Sequence, residues 1–163
     1  MSPDKHLFSG TVTGTALLAA TGDKELAAGC FFGTFICDID HLLEYAKFCI
    51  DSKRKPTYHE FISGSYFAEK KKICLIFHGW EYLVLLILIS KLSKNHCATG
   101  LTLGYAIHLV LDTLGNDCTA KGYSIIYRNH VKYNIDRICI NNRKHGQKNI
   151  HTKNTMTMET EFG

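Results

Sequence analysis

The chain predicts an all-α fold: two antiparallel helical hairpins packed as a bundle, membrane-embedded or membrane-associated. Three observations carry this. Apolar residues gather in four long blocks separated by short polar turns. Lysine and arginine collect between the second and third blocks and toward the C-terminal end. Histidines and carboxylates lie near the block ends, at the end of each hairpin opposite its turn.

The elements follow in order. Residues 7–22 form the first block and contain no charge, and Thr21-Gly22-Asp23-Lys24-Glu25 is a polar turn. The second block, residues 26–37, closes a first helical hairpin. Residues 51–72 are a polar segment with Pro56, predicting one short helix near 58–69. The third block, residues 73–92, is interrupted by His78 and Glu81, and Ser93-Lys94-Asn95-His96 is the next turn. The fourth block, residues 97–114, completes a second hairpin and is stopped by Gly115-Asn116. Residues 123–139 predict a fifth, amphipathic helix. Residues 141–163 are polar and rich in Thr, Asn and Lys, and are expected to be disordered. The chain of 163 residues thus divides into a helical domain over 1–140 and a tail over 141–163.

A net charge of +4 without the stacking-aromatic or Arg-rich motifs of nucleic-acid modules argues against nucleic acid as a partner. The seven cysteines form no Cys-x-x-Cys and are odd in number. Scattered through apolar stretches, they read as small free hydrophobes in a reducing compartment.

The polar residues inside the blocks carry the chemistry. His108 and Asp112 are spaced i, i+4 and share one helix face, as paired metal ligands do. Asp38-Ile39-Asp40-His41 is a denser group. It reads either as ligands or as an N-cap, at Asp38 or Asp40, for a helix starting near His41. His78 adds an imidazole, and His6 precedes the first block. Glu81, or Asp40, fits the role of general base toward a metal-activated water. The remaining histidines, and the basic runs Lys53-Arg54-Lys55, Lys70-Lys71-Lys72 and 128–153, read as solvated or as contacts to anionic lipid headgroups.

No block holds about 18 uninterrupted apolar residues, the usual length for a membrane span. The charge layout nevertheless fits a membrane topology. The loop and tail at the open end of the hairpins are basic and the two turns are not, so the open end, the site and the termini would face the cytoplasm.

The ordered set His6, Asp38-Ile39-Asp40-His41, Phe77-His78, then Gly104-Tyr105-x-x-His108-x-x-x-Asp112 resembles the small bacterial-type membrane-bound metal-dependent hydrolases. These are distantly similar to zinc-dependent phospholipase C, an all-α fold with a His/Asp multi-zinc site. The resemblance covers roughly residues 5–135 and extends to Leu114-Gly115-Asn116 and Tyr123-Ser124-Ile125-Ile126-Tyr127-Arg128. It implies an inner-membrane protein with a divalent metal, zinc foremost, held by His6, Asp38 or Asp40, His41, His78, His108 and Asp112. It also implies hydrolysis of an ester or phosphoester, lipid-like substrates included, with membrane lipids as neighbours. Where many members carry His-Arg-Gly-x-Thr-His, this chain has His78-Gly79-Trp80-Glu81, without the second histidine. The competing class is a non-catalytic helical membrane protein whose polar groups hold its helices together.

Overall fold

A computed structural model describes residues 3–139 of the chain, and those residues form helices and connecting loops with no strand among them. The polar tail from 141 onward lies outside the described residues. Helix α1 (Pro3–Thr21) ends at Gly22, whose positive φ of 68° reverses the chain. Asp23 then caps α2 (Lys24–Gly33) by accepting from the Leu26 amide at 3.0 Å. Helix α6 (Trp80–Ser93) and helix α7 (His96–Gly115) are joined in the same way, with Asn95 accepting from the Ala98 amide at 3.0 Å. The turns meet: His96 Nδ1 pairs with Asp23 Oδ2.

The second block does not run on as one helix to Cys37. Helix α2 stops at Gly33, a 3-10 turn follows over Ile36–Asp38, and α3 (Ile39–Ser52) starts at once. Asp38 stands before α3, but its side chain makes no capping hydrogen bond. Thus the N-cap reading fails for Asp38, and its carboxylate is left for the interior.

The segment between α3 and α6 folds as two short helices, α4 (Tyr58–Ser63) and α5 (Ser65–Lys70), divided by Gly64 at a positive φ of 64°. The third block also starts late. Residues 73–79 stay non-helical because other partners take their amides: the Ile73 amide bonds Tyr133 O, the Cys74 amide Glu44 and the Phe77 amide Asp40. His78 therefore sits on a loop before α6.

The predicted fifth helix is broken into a 3-10 turn (Ala120–Tyr123), α8 (Ile125–His130) and α9 (Ile135–Ile138). Ser124 and Asn134 cap the two helices, and Lys132 and Tyr133 between them adopt left-handed backbone. The expectation that the cysteines are all unpaired is corrected as well. Cys118, just after α7, is disulfide-bonded to Cys139, while Cys30, Cys37, Cys49, Cys74 and Cys97 are free.

The closest helix contact is that of α2 with α7. A Cβ on Gly104 would lie 2.1 Å from Cys30 O, and one on Gly33 would lie 2.3 Å from Leu101 O. Gly29 and Gly100 meet the facing backbone equally closely. Glycines four apart on both helices let the backbones touch, which brings the Thr34 carbonyl against α7.

Candidate metal centre

The centre is built where α1 begins, α2 ends and α7 ends. His6 lies in the first turns of α1, Cys37 and Asp38 in the 3-10 turn, Asp40 and His41 in the first turn of α3, His78 on the loop before α6, and His108 and Asp112 near the end of α7. His6, His78 and His108 are fully buried, 0% exposed, and Asp38, Asp40 and Asp112 are buried beside them. All seven residues predicted as ligands therefore meet in one cluster, with six buried and His41 half-buried at its edge.

Three of the histidines share a design. His108 Nδ1 donates to the Thr34 carbonyl at 2.7 Å, which leaves Nε2 as the ring's lone-pair nitrogen. His78 Nδ1 lies 3.1 and 3.2 Å from the two oxygens of Asp40, leaving its Nε2. His6 Nε2 lies 3.0 Å from Asp112 Oδ1, leaving its Nδ1, and its ring stacks on that of His108 at 3.8 Å. One nitrogen of each ring is held by an outer partner and the other has none, as in histidines whose free nitrogen ligates a metal.

The carboxylates complete the cluster. Asp38 Oδ1 lies 3.7 Å from His78 Nε2, 3.9 Å from His108 Nε2 and 3.8 Å from His41 Nε2. Asp112 Oδ2 lies 3.5 Å from His108 Nε2 and 3.7 Å from His78 Nε2, while its Oδ1 accepts from Asn116 Nδ2 at 3.0 Å. Donors on bonds of about 2.05 Å in a tetrahedron stand about 3.3 Å apart. These separations are a few tenths of an ångström wider, as expected for a site that draws in around an ion.

Six buried side-chain polar atoms among the described residues lack a hydrogen-bond partner: His6 Nδ1, both oxygens of Asp38, Asp40 Oδ1, His78 Nε2 and His108 Nε2. Each such atom costs about 1–3 kcal/mol if nothing binds it. All six fall in this cluster, so the residues present fit a metal ion. Three groups of donors lie within 4.8 Å of one another: His6, Asp38 and His108; Asp38, His41 and His78; and Cys37, His78 and His108.

Asp40 does more positioning than ligation. Its Oδ2 also accepts from the Phe77 amide at 2.8 Å, so it fixes both the loop and the ring of His78.

Glu81 points elsewhere. Its carboxylate accepts from Ser124 Oγ at 2.6 Å and from the Ile125 amide at 3.0 Å, at the start of α8. It is in none of the donor groups, and the role of general base drawn for it from the sequence has no geometric support.

Arg128, Tyr105 and Cys37 were missed by spacing. Arg128, read as part of a solvated basic tail, is buried, 2% exposed. Its guanidinium donates to the carbonyls of Gly122, Leu75 and His78, the last at 2.8 Å, and so ties α8 to the ligand loop. Tyr105 Oη lies 3.0 Å from the Gly79 carbonyl on the same loop. For Cys37, only its place beside Asp38 marked it.

A cavity of about 620 Å³ adjoins the centre, with His41, Asp112, Asn116 and Arg128 among its polar lining and Phe61, Phe67, Leu75 and Ile138 among its apolar walls. No family model matches the chain, and no curated protein or solved structure matches it either.

Proposed function

We propose that the protein is a zinc-dependent hydrolase of esters or phosphoesters, lipid-like ones included, embedded in a membrane and similar to the membrane-bound metal-dependent hydrolases. The observation that carries this reading is the convergence of six orphaned polar atoms in one buried His/Asp cluster beside a cavity. When bound there, zinc supplies a Lewis acid and lowers the pKa of a water. His78, His108 and one of the Asp38 and Asp112 carboxylates would hold it, with the fourth position left to that water. Asp40 and the Thr34 carbonyl keep the two imidazoles aimed, and Arg128 holds the His78 backbone in place. His41 lines the cavity, with its Nε2 3.8 Å from Asp38 Oδ1.

Zinc-reconstituted protein is expected to cleave a phosphoester or carboxyl ester in a screen of both. Asp38→Asn should lower turnover by about 100-fold, since it replaces a carboxylate facing the Nε2 atoms of His41, His78 and His108 with a neutral amide. Zinc-loaded protein with no turnover on either class would refute the hydrolase reading.

The membrane part of the proposal is that α1/α2 and α6/α7 are two antiparallel hairpins packed side by side in lipid. Two stretches, Lys24–Ser52 and His96–Gly115, are long and apolar enough to cross a membrane. Helix α6 has no buried residue, and its Val84, Leu85, Leu88 and Leu92 are exposed. The glycine seam between α2 and α7 is the packing that helices use when lipid offers no hydrophobic drive. From His96 to His108 the helix rises only about 18 Å, against a hydrocarbon thickness of about 30 Å. With the turns at the far headgroups, the centre sits about 10 Å below the near surface and is reached through the cavity, deeper than a site at the interface itself.

Leu88→Lys separates this from a soluble bundle. Exposed to water, the change is expected within about 0.5 kcal/mol of neutral; facing lipid, it costs about 2.5–3.5 kcal/mol. The expected result is loss of the variant from carbonate-washed membranes. Wild-type protein recovered in the soluble fraction would refute the embedding.

A further inference from the structure

Cys37 sits in the 3-10 turn directly before Asp38 and is 1% exposed. Its Sγ and a ring nitrogen from each of His78 and His108 all lie within 4.8 Å of one another. On its other side it packs against Tyr105, Leu109 and Tyr123, so a plain apolar role would account for its burial. The two histidines argue for more. Each is fully buried and each keeps an Nε2 with no partner.

An imidazole nitrogen has one lone pair and serves one ion. The donor groups sharing His108, and those sharing His78, therefore compete. An ion ligated by both His78 and His108 needs about two further donors to reach four-coordination. The candidates in reach are Cys37 Sγ, Asp38 Oδ1 and Asp112 Oδ2. Both carboxylate oxygens stand on the histidine side of the cluster at 3.5–3.9 Å. Sulfur, with its longer bond of about 2.3 Å, tolerates a more distant position.

We propose that Cys37 is a thiolate ligand of the ion held by His78 and His108, taking beside the two nitrogens the place that a carboxylate oxygen would otherwise fill. This rests on the metal-centre reading above. On binding, a metal–sulfur bond forms and the S–H bond breaks, the proton passing to bulk buffer. A thiolate in the set favours zinc, cobalt or cadmium over magnesium, calcium or manganese.

Cobalt(II) added to the full-length, detergent-solubilised protein tests it. The wild type is expected to bind cobalt stoichiometrically with a sulfur-to-metal charge-transfer band in the near ultraviolet. Cys37→Ser should lose that band and bind about 10-fold more weakly or worse, with cobalt still held by the histidines and carboxylates. Cys37→Ala, which keeps an apolar group against Tyr105, gives the same readout if the serine variant fails to fold. Cys30→Ser and Cys49→Ser should keep the band. Stoichiometric cobalt without the band in wild type, or a band that survives in the Cys37 variants, overturns the thiolate and leaves the metal centre standing. Wild type that binds neither cobalt nor zinc overturns both.

Discussion

The His108→Ala/Asp112→Ala protein is expected to retain no zinc, while wild type retains it stoichiometrically. The pair supplies two donors, Nε2 and Oδ2, 3.5 Å apart on one face of α7. It also anchors two other parts of the cluster, because His108 holds the Thr34 carbonyl and Asp112 holds His6. The larger signal is in stability. At free zinc about 100 times the dissociation constant, binding to the folded state alone adds about 2.7 kcal/mol to wild type. The double variant should gain nothing measurable, so zinc widens the gap between the two melting curves by about that amount. Purely structural polar contacts make the opposite forecast: zinc would leave wild type unmoved, and the variant would melt lower by the same amount with or without metal. Calorimetry or thermal melts at two zinc concentrations, with elemental analysis beside them, decide between the two.

Gly104→Ala is expected to be among the most damaging single-methyl changes along the α2–α7 seam. The new Cβ would stand 2.1 Å from Cys30 O and 2.9 Å from Thr34 N, and both are backbone atoms that no side-chain rotation relieves. Overpacking in a filled core costs about 1–3 kcal/mol when neighbours yield; here α2 and α7 must move apart, so about 3 kcal/mol or more is expected. Gly14→Ala is the control, since its Cβ would meet nothing nearer than Ala27 O at 3.2 Å and should cost clearly less. The separation also withdraws the Thr34 carbonyl from His108, so zinc affinity should fall with stability. A Gly104→Ala protein that melts with wild type would refute the close approach of the two helices.

How much of this was legible depends on range. Helix ends written in local chemistry were readable: the turns around Gly22-Asp23 and Asn95, and the stop at Gly115-Asn116. The all-α class followed from the blocks. Element boundaries failed where a distant partner claimed the backbone. Residues 73–77 read as helix by composition, but their amides bond Tyr133, Glu44 and Asp40. The 123–139 pattern read as one helix, although Ser124 and Asn134 are both capping residues.

The candidate site divides along the same line. By itself the sequence determined the candidates: His6, Asp38, Asp40, His41, His78, Glu81, His108 and Asp112 are titratable groups within or at the ends of apolar segments, and burial of such groups requires partners. Only the tertiary structure decided their roles, because a role depends on which atom is left without a partner. Asp40 orients His78, Glu81 caps α8, Arg128 leaves the basic tail to bind three carbonyls, and Cys37 faces two imidazoles. Apart from the Arg128–Gly122 contact, none of these pairings is local in the chain. Each is set by the approach of α2 to α7 and by the loops that close over it, and sequence spacing carries no record of that distance.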